Sequence, residues 1–260
     1  MTVTKIHTAK GYYISANIYQ RGANNILIIA SATGVKQQFY QKFAEFLSDN
    51  GITVITFDYY GIGASLREPI RNISVTAAEW GSNDLEAVMQ WAYNYYPGAN
   101  IMLLGHSIGG QLIGLAPSAT LLKRIVLVAA QTGYWNYWPS IRKFQMWANW
   151  NLLFPLLTRV AGYMPSKKFS GMENLPGGVA TQWSKWCRSR DYLFADVPPH
   201  HLYFEKVTAP VVSISIEDDP FAPKAAVDWL TGKYNSQLFK PLHLHPDQYG
   251  RSPAPARRPD

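Results

Sequence analysis

The residues best suited to chemistry are Gly105-His106-Ser107-Ile108-Gly109, a Gly-x-Ser-x-Gly pattern. Four apolar residues, Ile101 to Leu104, precede it, and a run with helical character, Gln111 to Ala116, follows as far as Pro117. A buried strand that turns sharply into a helix through this pattern holds its serine in a strained backbone region and exposes the hydroxyl at the strand's end. Glycine at 105 and 109 fits such a turn, because side chains there would collide with neighbouring backbone. The corresponding chemistry is nucleophilic attack by Ser107 on a carbonyl carbon. The competing reading is a glycine-rich turn with a bystander serine.

A serine hydroxyl needs a base, an acid that orients the base, and donors for the developing oxyanion. In enzymes with this elbow the order along the chain is serine, acid, histidine. The apolar run Val211 to Ile216 ends in Glu217-Asp218-Asp219-Pro220, which puts carboxylates at a strand end. Asp219 is the expected acid and Asp218 the runner-up, whose alternative role is capping the following helix. Ile108 supplies one oxyanion N–H. The second comes from the loop Ser31-Ala32-Thr33-Gly34-Val35, with Thr33 the expected donor. Candidate bases are His245 and, behind it, His243, which lie 26 and 24 residues after Asp219. His106 sits inside the elbow, with its side chain expected to point away from Ser107. The adjacent His200 and His201 read as structural. One cysteine, Cys187, and scattered histidines make no zinc cluster, so no metal is expected. Gly61-x-Gly63 lacks the third glycine of a dinucleotide fingerprint, since position 66 is leucine, and no cofactor is expected.

These residues need a scaffold. Val3–His7 and Tyr12–Tyr19 alternate and predict an antiparallel hairpin. Ile26–Ala30, Ile52–Phe57, Ile101–Leu104, Ile125–Ala130 and Val211–Ile216 are short apolar strand candidates, and Gln237–Leu242 reads as the last strand. Phe39, Phe43, Phe46 and Leu47 recur at helical spacing, as do Leu85, Val88, Met89 and Ala92. This alternation predicts an α/β fold with a mostly parallel sheet covered on both faces. Between Gly133 and Pro198 the alternation stops, and six of the nine tryptophans fall there. The expected division is a core over 1–132, an aromatic-rich helical cap over 133–198 that shapes an apolar pocket, core again over 199–250, and a disordered tail over 251–260.

The chain has 260 residues, 47% of them hydrophobic, which suits a globular protein. Met1 to Lys10 has no apolar core of a signal peptide, and Trp147–Leu157 is too short to span a bilayer. A single cysteine excludes an internal disulfide and suggests a reducing compartment, hence the cytoplasm. The net charge is +7, of which Arg251, Arg257, Arg258 and Asp260 in the tail supply +2 and the body +5. Basic pairs at 123–124, 142–143 and 167–168 are scattered and read as solvated faces rather than a nucleic-acid site.

Together Lys10-Gly11-Tyr12, Ala32-Thr33-Gly34-Val35 with Phe39-Tyr40, Phe57-Asp58-Tyr59-Tyr60-Gly61-Ile62-Gly63, the serine motif, and Asp218-Asp219-Pro220-Phe221-Ala222-Pro223 carry a resemblance. The chain resembles α/β-hydrolases of the serine aminopeptidase-like branch, closest to a group of predicted bacterial hydrolases, from its start to about Gly250. The resemblance implies a cofactor-free serine hydrolase that cleaves an ester, thioester or amide of a small apolar acyl group through an acyl-enzyme on Ser107. It also implies a histidine loop after the last strand, yet the ten residues after Gly250 contain no histidine. The first expectation is an altered C-terminus that leaves the chain without its base; a second is that His245 or His243 substitutes, and a third is a base from elsewhere. Two other outcomes are a binding protein on a hydrolase scaffold and an acyltransferase.

Overall fold

The computed structural model describes residues 1–234 and 239–249. The expected disordered tail, 251–260, lies outside the described residues. Ten strands are found among them: β1 (Thr2–His7), β2 (Tyr13–Tyr19), β3 (Asn25–Ala30), β4 (Thr53–Phe57), β5 (Asn100–His106), β6 (Arg124–Val128), β7 (Tyr163–Met164), β8 (Leu175–Pro176), β9 (Val211–Ile216) and β10 (Phe239–Leu244). Eight form one sheet in the order β1-β2-β4-β3-β5-β6-β9-β10. The β1–β2 and β2–β4 pairs are antiparallel, and every pairing from β4 across to β10 is parallel.

The helices are α1 (Gln41–Asp49), α2 (Ala77–Glu79), α3 (Glu86–Tyr95), α4 (Ile108–Gln111), α5 (Ser140–Ala148), α6 (Phe154–Ala161), α7 (Gly177–Arg188) and α8 (Lys224–Thr231). Ile26, Ile28 and Ile55 pack on one side of the sheet in the main core around Trp80 and Val88. Leu27, Ile29 and Val54 meet Tyr40 and Ala44 on the other. Burial on both sides explains why the central strands are uninterrupted apolar runs instead of alternating ones.

The structure adds detail to the sequence reading at several elements. Phe39, Phe43 and Phe46 do mark a helical segment, but their rings are exposed, and α1 buries Ala44 and Ser48 instead. The helix after Ser107 is a single turn, continued by short 3-10 turns at 113–115 and 117–121. Gly114 packs against the Phe204 ring, where a Cβ would come within 2.3 Å. The last strand extends to Leu244, so His243 lies within it; Gln237 and Leu238 fall outside the described residues. Between β6 and β9 the chain forms α5 to α7 and the small β7–β8 pair. A π turn over Asn149–Leu153 joins α5 to α6. Pro155 is the second residue after it, and the wider turn accommodates a residue that lacks an N–H and crowds the preceding turn. Among the described residues no helix is long and apolar enough to cross a membrane.

Candidate functional site

β5 delivers Ser107 to the C-terminal edge of the sheet, where α4 begins. Ser107 has φ 52° and ψ −119°, a conformation that a side chain rarely takes. Its N–H donates to the Val128 carbonyl at 2.9 Å, which ties the turn to β6. A Cβ on Gly105 would lie 2.4 Å from the Gly110 Cα, and one on Gly109 would lie 2.2 Å from the Ala30 carbonyl oxygen. Only glycine permits this approach of β5, α4 and the end of β3. Ala129, directly after β6, is also at positive φ, 48°.

Ser107 and Ala129 both line a cavity of about 380 Å³. Thr33, His106, Gln131 and Asp219 share its wall, and Met146, Trp150, Phe154, Met172 and Trp183 make much of it apolar. Of the six tryptophans between 133 and 198, three line it: Trp138, Trp150 and Trp183. The Trp138 indole N–H donates to the Pro220 carbonyl at 3.0 Å and fastens this segment to the loop that carries Asp219. A larger groove of about 490 Å³, between β1 and α3, shares no residue with this cavity.

The loop after β3 is held from three sides. The Ala32 N–H donates to the Tyr40 hydroxyl at 3.0 Å, the Gln37 N–H donates to Asp58 Oδ1 at 2.8 Å, and the Glu173 N–H donates to the Gly34 carbonyl at 2.8 Å. A Cβ on Gly34, at φ 65°, would come within 2.9 Å of Met172. Burial raises the Asp58 carboxyl above the usual range, while the Gln37 and Ala64 N–H groups pull it back. Among the described residues, the N–H groups of Ile108 and Thr33 have no hydrogen-bond partner. The Thr33 hydroxyl and the Trp150 indole N–H are buried without one as well. Four donors or hydroxyls on residues of the elbow and cavity are thus unclaimed among the described residues, and a buried polar group in that state favours a ligand that can pair with it.

Asp219 lies on the cavity wall, where its Oδ1 accepts the Phe221 N–H at 2.8 Å. Asp218 is exposed and is not part of the wall; the turn before α8 is capped by Asp219 instead. All six histidines are among the described residues, and His106 alone lines the cavity. Ser107 lines the same cavity; the sequence expectation is a side chain that points away from the serine. Burial pushes the His106 pKa below the ordinary value, opposed by the Asp219 carboxylate, so the imidazole is held toward its neutral form. Its Nδ1 lies 2.8 Å from the Tyr40 hydroxyl. His243 is bound through Nδ1 to the Ser215 hydroxyl at 2.9 Å, and His245 pairs through Nδ1 with the Glu217 carboxylate. Neither lines the cavity. The structure therefore brings together Ser107, Ile108, Thr33 and Asp219 and leaves His243 and His245 at the β9–β10 edge.

Tyr40, Asp58 and Gln131 are the contributors that sequence reading left without a role. Gln131 links the cavity floor to the Asp219 loop by donating to the Phe221 carbonyl at 3.0 Å. Tyr40 and Asp58 stood inside recognisable motifs, but nothing in their spacing says that both reach back to the loop after β3.

Known proteins resemble the chain in sequence and in fold. Residues 22–175, more than half of the chain, match the model of the family described as serine aminopeptidase, S33. The chain is 26% identical over 246 residues to phospholipase ABHD3 of Mus musculus, covering 87% of this chain and 57% of that one. It thus spans little more than half the length of that relative. A soluble variant of monoglyceride lipase from Saccharomyces cerevisiae superposes with a TM-score of 0.62 at 17% identity, over 94% of this chain and 86% of that one. The monoacylglycerol lipase of Paleococcus ferrophilus gives 0.59 at 15% identity, over 89% and 88%. Similarity at that level speaks for the fold. The family match goes further: the chain belongs to the serine aminopeptidase S33 family and has the α/β-hydrolase fold.

Proposed function

We propose that the chain hydrolyses esters, thioesters or amides of apolar acyl groups through an acyl-enzyme on Ser107. The observation that carries this is Ser107 itself, at φ 52° in an apolar cavity beside the unclaimed N–H groups of Ile108 and Thr33. In this reading the strained turn is a nucleophile elbow. Ser107 Oγ attacks the carbonyl carbon and gives its proton to a histidine. The Ile108 and Thr33 N–H groups hold the oxyanion. The histidine then protonates the leaving alcohol, thiol or amine, and water releases the acyl group by the same steps in reverse order. The histidine assigned to this role is His245, whose Nδ1 pairs with Glu217 and leaves Nε2 to carry the proton. It sits at the β9–β10 edge outside the cavity wall, so the reading requires it to approach Ser107 during the reaction. Asp219 contributes negative charge on the cavity wall that favours an imidazolium. An apolar wall with three tryptophans suits an acyl chain better than a charged peptide N-terminus, and the names of the phospholipase and lipase relatives point the same way.

A second reading rests on one observation: His106, the single histidine on the cavity, has its Nδ1 occupied by Tyr40. Without a free imidazole at Ser107 the cavity binds acyl compounds and turns them over slowly. Intact mass after a fluorophosphonate probe separates the readings. The hydrolase reading expects one adduct, none on Ser107→Ala, and labelling slowed at least about 100-fold by His245→Ala. A folded wild type that takes no adduct supports the binding reading. Labelling that survives Ser107→Ala sinks the assignment of the nucleophile.

A further inference from the structure

The segment Ser140–Ala161 runs as one helical rod, α5, the π turn and α6. At about 1.5 Å per residue it is roughly 33 Å long. Met146, Trp150 and Phe154 face the cavity. Ile141, Phe144, Trp147, Leu152, Leu156 and Val160 are exposed by 67%, 68%, 42%, 57%, 61% and 79%. At about 100° per residue, with one residue taken up by the π turn, these six share roughly a third of the circumference, opposite the cavity-lining side. The rod is therefore apolar on both faces. A helix of that kind ordinarily has both faces covered, and among the described residues the outer one is not.

Charge indicates what covers it. No Asp or Glu occurs from residue 87 to 172, whereas Arg142, Lys143, Arg159, Lys167 and Lys168 fall on or just beyond the rod. Arg142, Arg159, Lys167 and Lys168 are exposed. Lys167 makes an ion pair with Glu173 at 3.3 Å. Phe169, 65% exposed, directly follows the lysine pair. A second copy of this face would bring like charges together with no carboxylate on the rod to answer them. Acyl chains beneath anionic headgroups match both the apolar stripe and the cations beside it.

We propose that the outer face of this rod docks on an anionic lipid bilayer, with the helix in the interfacial plane. The proposal goes beyond the hydrolase reading and does not need Ser107 to turn over. Docking would put the bilayer on the far side of a rod that walls the cavity.

Vesicle sedimentation tests it, using the full chain with phosphatidylcholine vesicles that contain or lack phosphatidylglycerol. The expected result is binding to the anionic vesicles, release by about 1 M NaCl, and little binding to phosphatidylcholine alone. Arg159→Glu and Lys168→Glu each lower partitioning at least roughly fivefold. Phe144→Ser with Leu156→Ser abolishes binding while the melting temperature holds, since these side chains are exposed. Ser107→Ala binds like the wild type whether or not Ser107 proves to be a nucleophile. Absence of binding to anionic vesicles, equal binding to both kinds, or a dimer in sedimentation velocity that Phe144→Ser with Leu156→Ser dissociates would overturn the proposal. Loss of binding in Ser107→Ala would also overturn it, because the contact would then belong to the cavity.

Discussion

The Tyr40 hydroxyl joins the two halves of the candidate site. Its oxygen accepts the Ala32 N–H and lies at hydrogen-bond distance from His106 Nδ1. One phenol thereby anchors the loop that carries Thr33 and ties it to the histidine that precedes Ser107. Burial raises the Tyr40 hydroxyl to a pKa of about 12, so it stays protonated at any working pH. Tyr40→Phe leaves two buried polar groups without partners and is expected to cost about 1–3 kcal/mol, read as a lower urea midpoint. Fluorophosphonate labelling should slow as well, because the Thr33 N–H loses its support. An unchanged midpoint and labelling rate would show that the bridge holds nothing. Phe39-Tyr40 could be seen as a motif, but the contact with His106 spans 66 positions of sequence and has no local signature.

At the scale of elements, the turn from β5 into α4 is set by glycines whose replacement has no room to relax. Gly109→Ala places a methyl 2.2 Å from the Ala30 carbonyl oxygen, which is backbone of a buried strand. The expected outcome is a loss of at least about 3 kcal/mol in chemical denaturation, or failure to fold. A near-neutral Gly109→Ala would mean that β3 and α4 are less closely apposed than described. The helical spacing of Phe39, Phe43 and Phe46 was read correctly as a helix, yet their burial did not follow. Periodicity reports which residues share a face. It does not say whether that face meets the sheet or the solvent, and on α1 the small Ala44 and Ser48 fit the close contact with the sheet.

For the molecule as a whole, buried ionisable groups make stability depend on pH. Asp84 is fully buried, accepts hydrogen bonds from Tyr12, Asn83 and the Tyr60 N–H, and is pushed up to about 7 chiefly by burial. The folded state then binds a proton that the unfolded chain has released above about 3.9, so this contribution is present at low pH and is lost as pH rises from about 4 to 7. Burial of Asp58 acts in the same direction. His106 acts in the opposite one: its lowered pKa means that the unfolded chain binds the extra proton, and stability falls as pH drops below about 6.5. Asp84→Asn should flatten the decline between pH 4 and about 7 while leaving the His106 effect. Melting temperatures of both proteins across that range check this, and parallel curves would refute the assignment to Asp84.

Several features were determined by the sequence alone, because local physics suffices for them. Apolar runs alternating with helical spacing imply a parallel sheet covered on both sides, and Gly105, Ser107 and Gly109 imply a tight turn that exposes a hydroxyl. Tertiary structure decided what depends on distant segments meeting. It put Asp219 on the cavity wall and left Asp218 in solvent. It carried His243 into β10 and paired His245 with Glu217, although both follow the acid at a suitable spacing. It selected Trp138, Trp150 and Trp183 for the cavity from six similar rings. In each case residue type and spacing were compatible with more than one partner, and packing across the sheet edge made the choice.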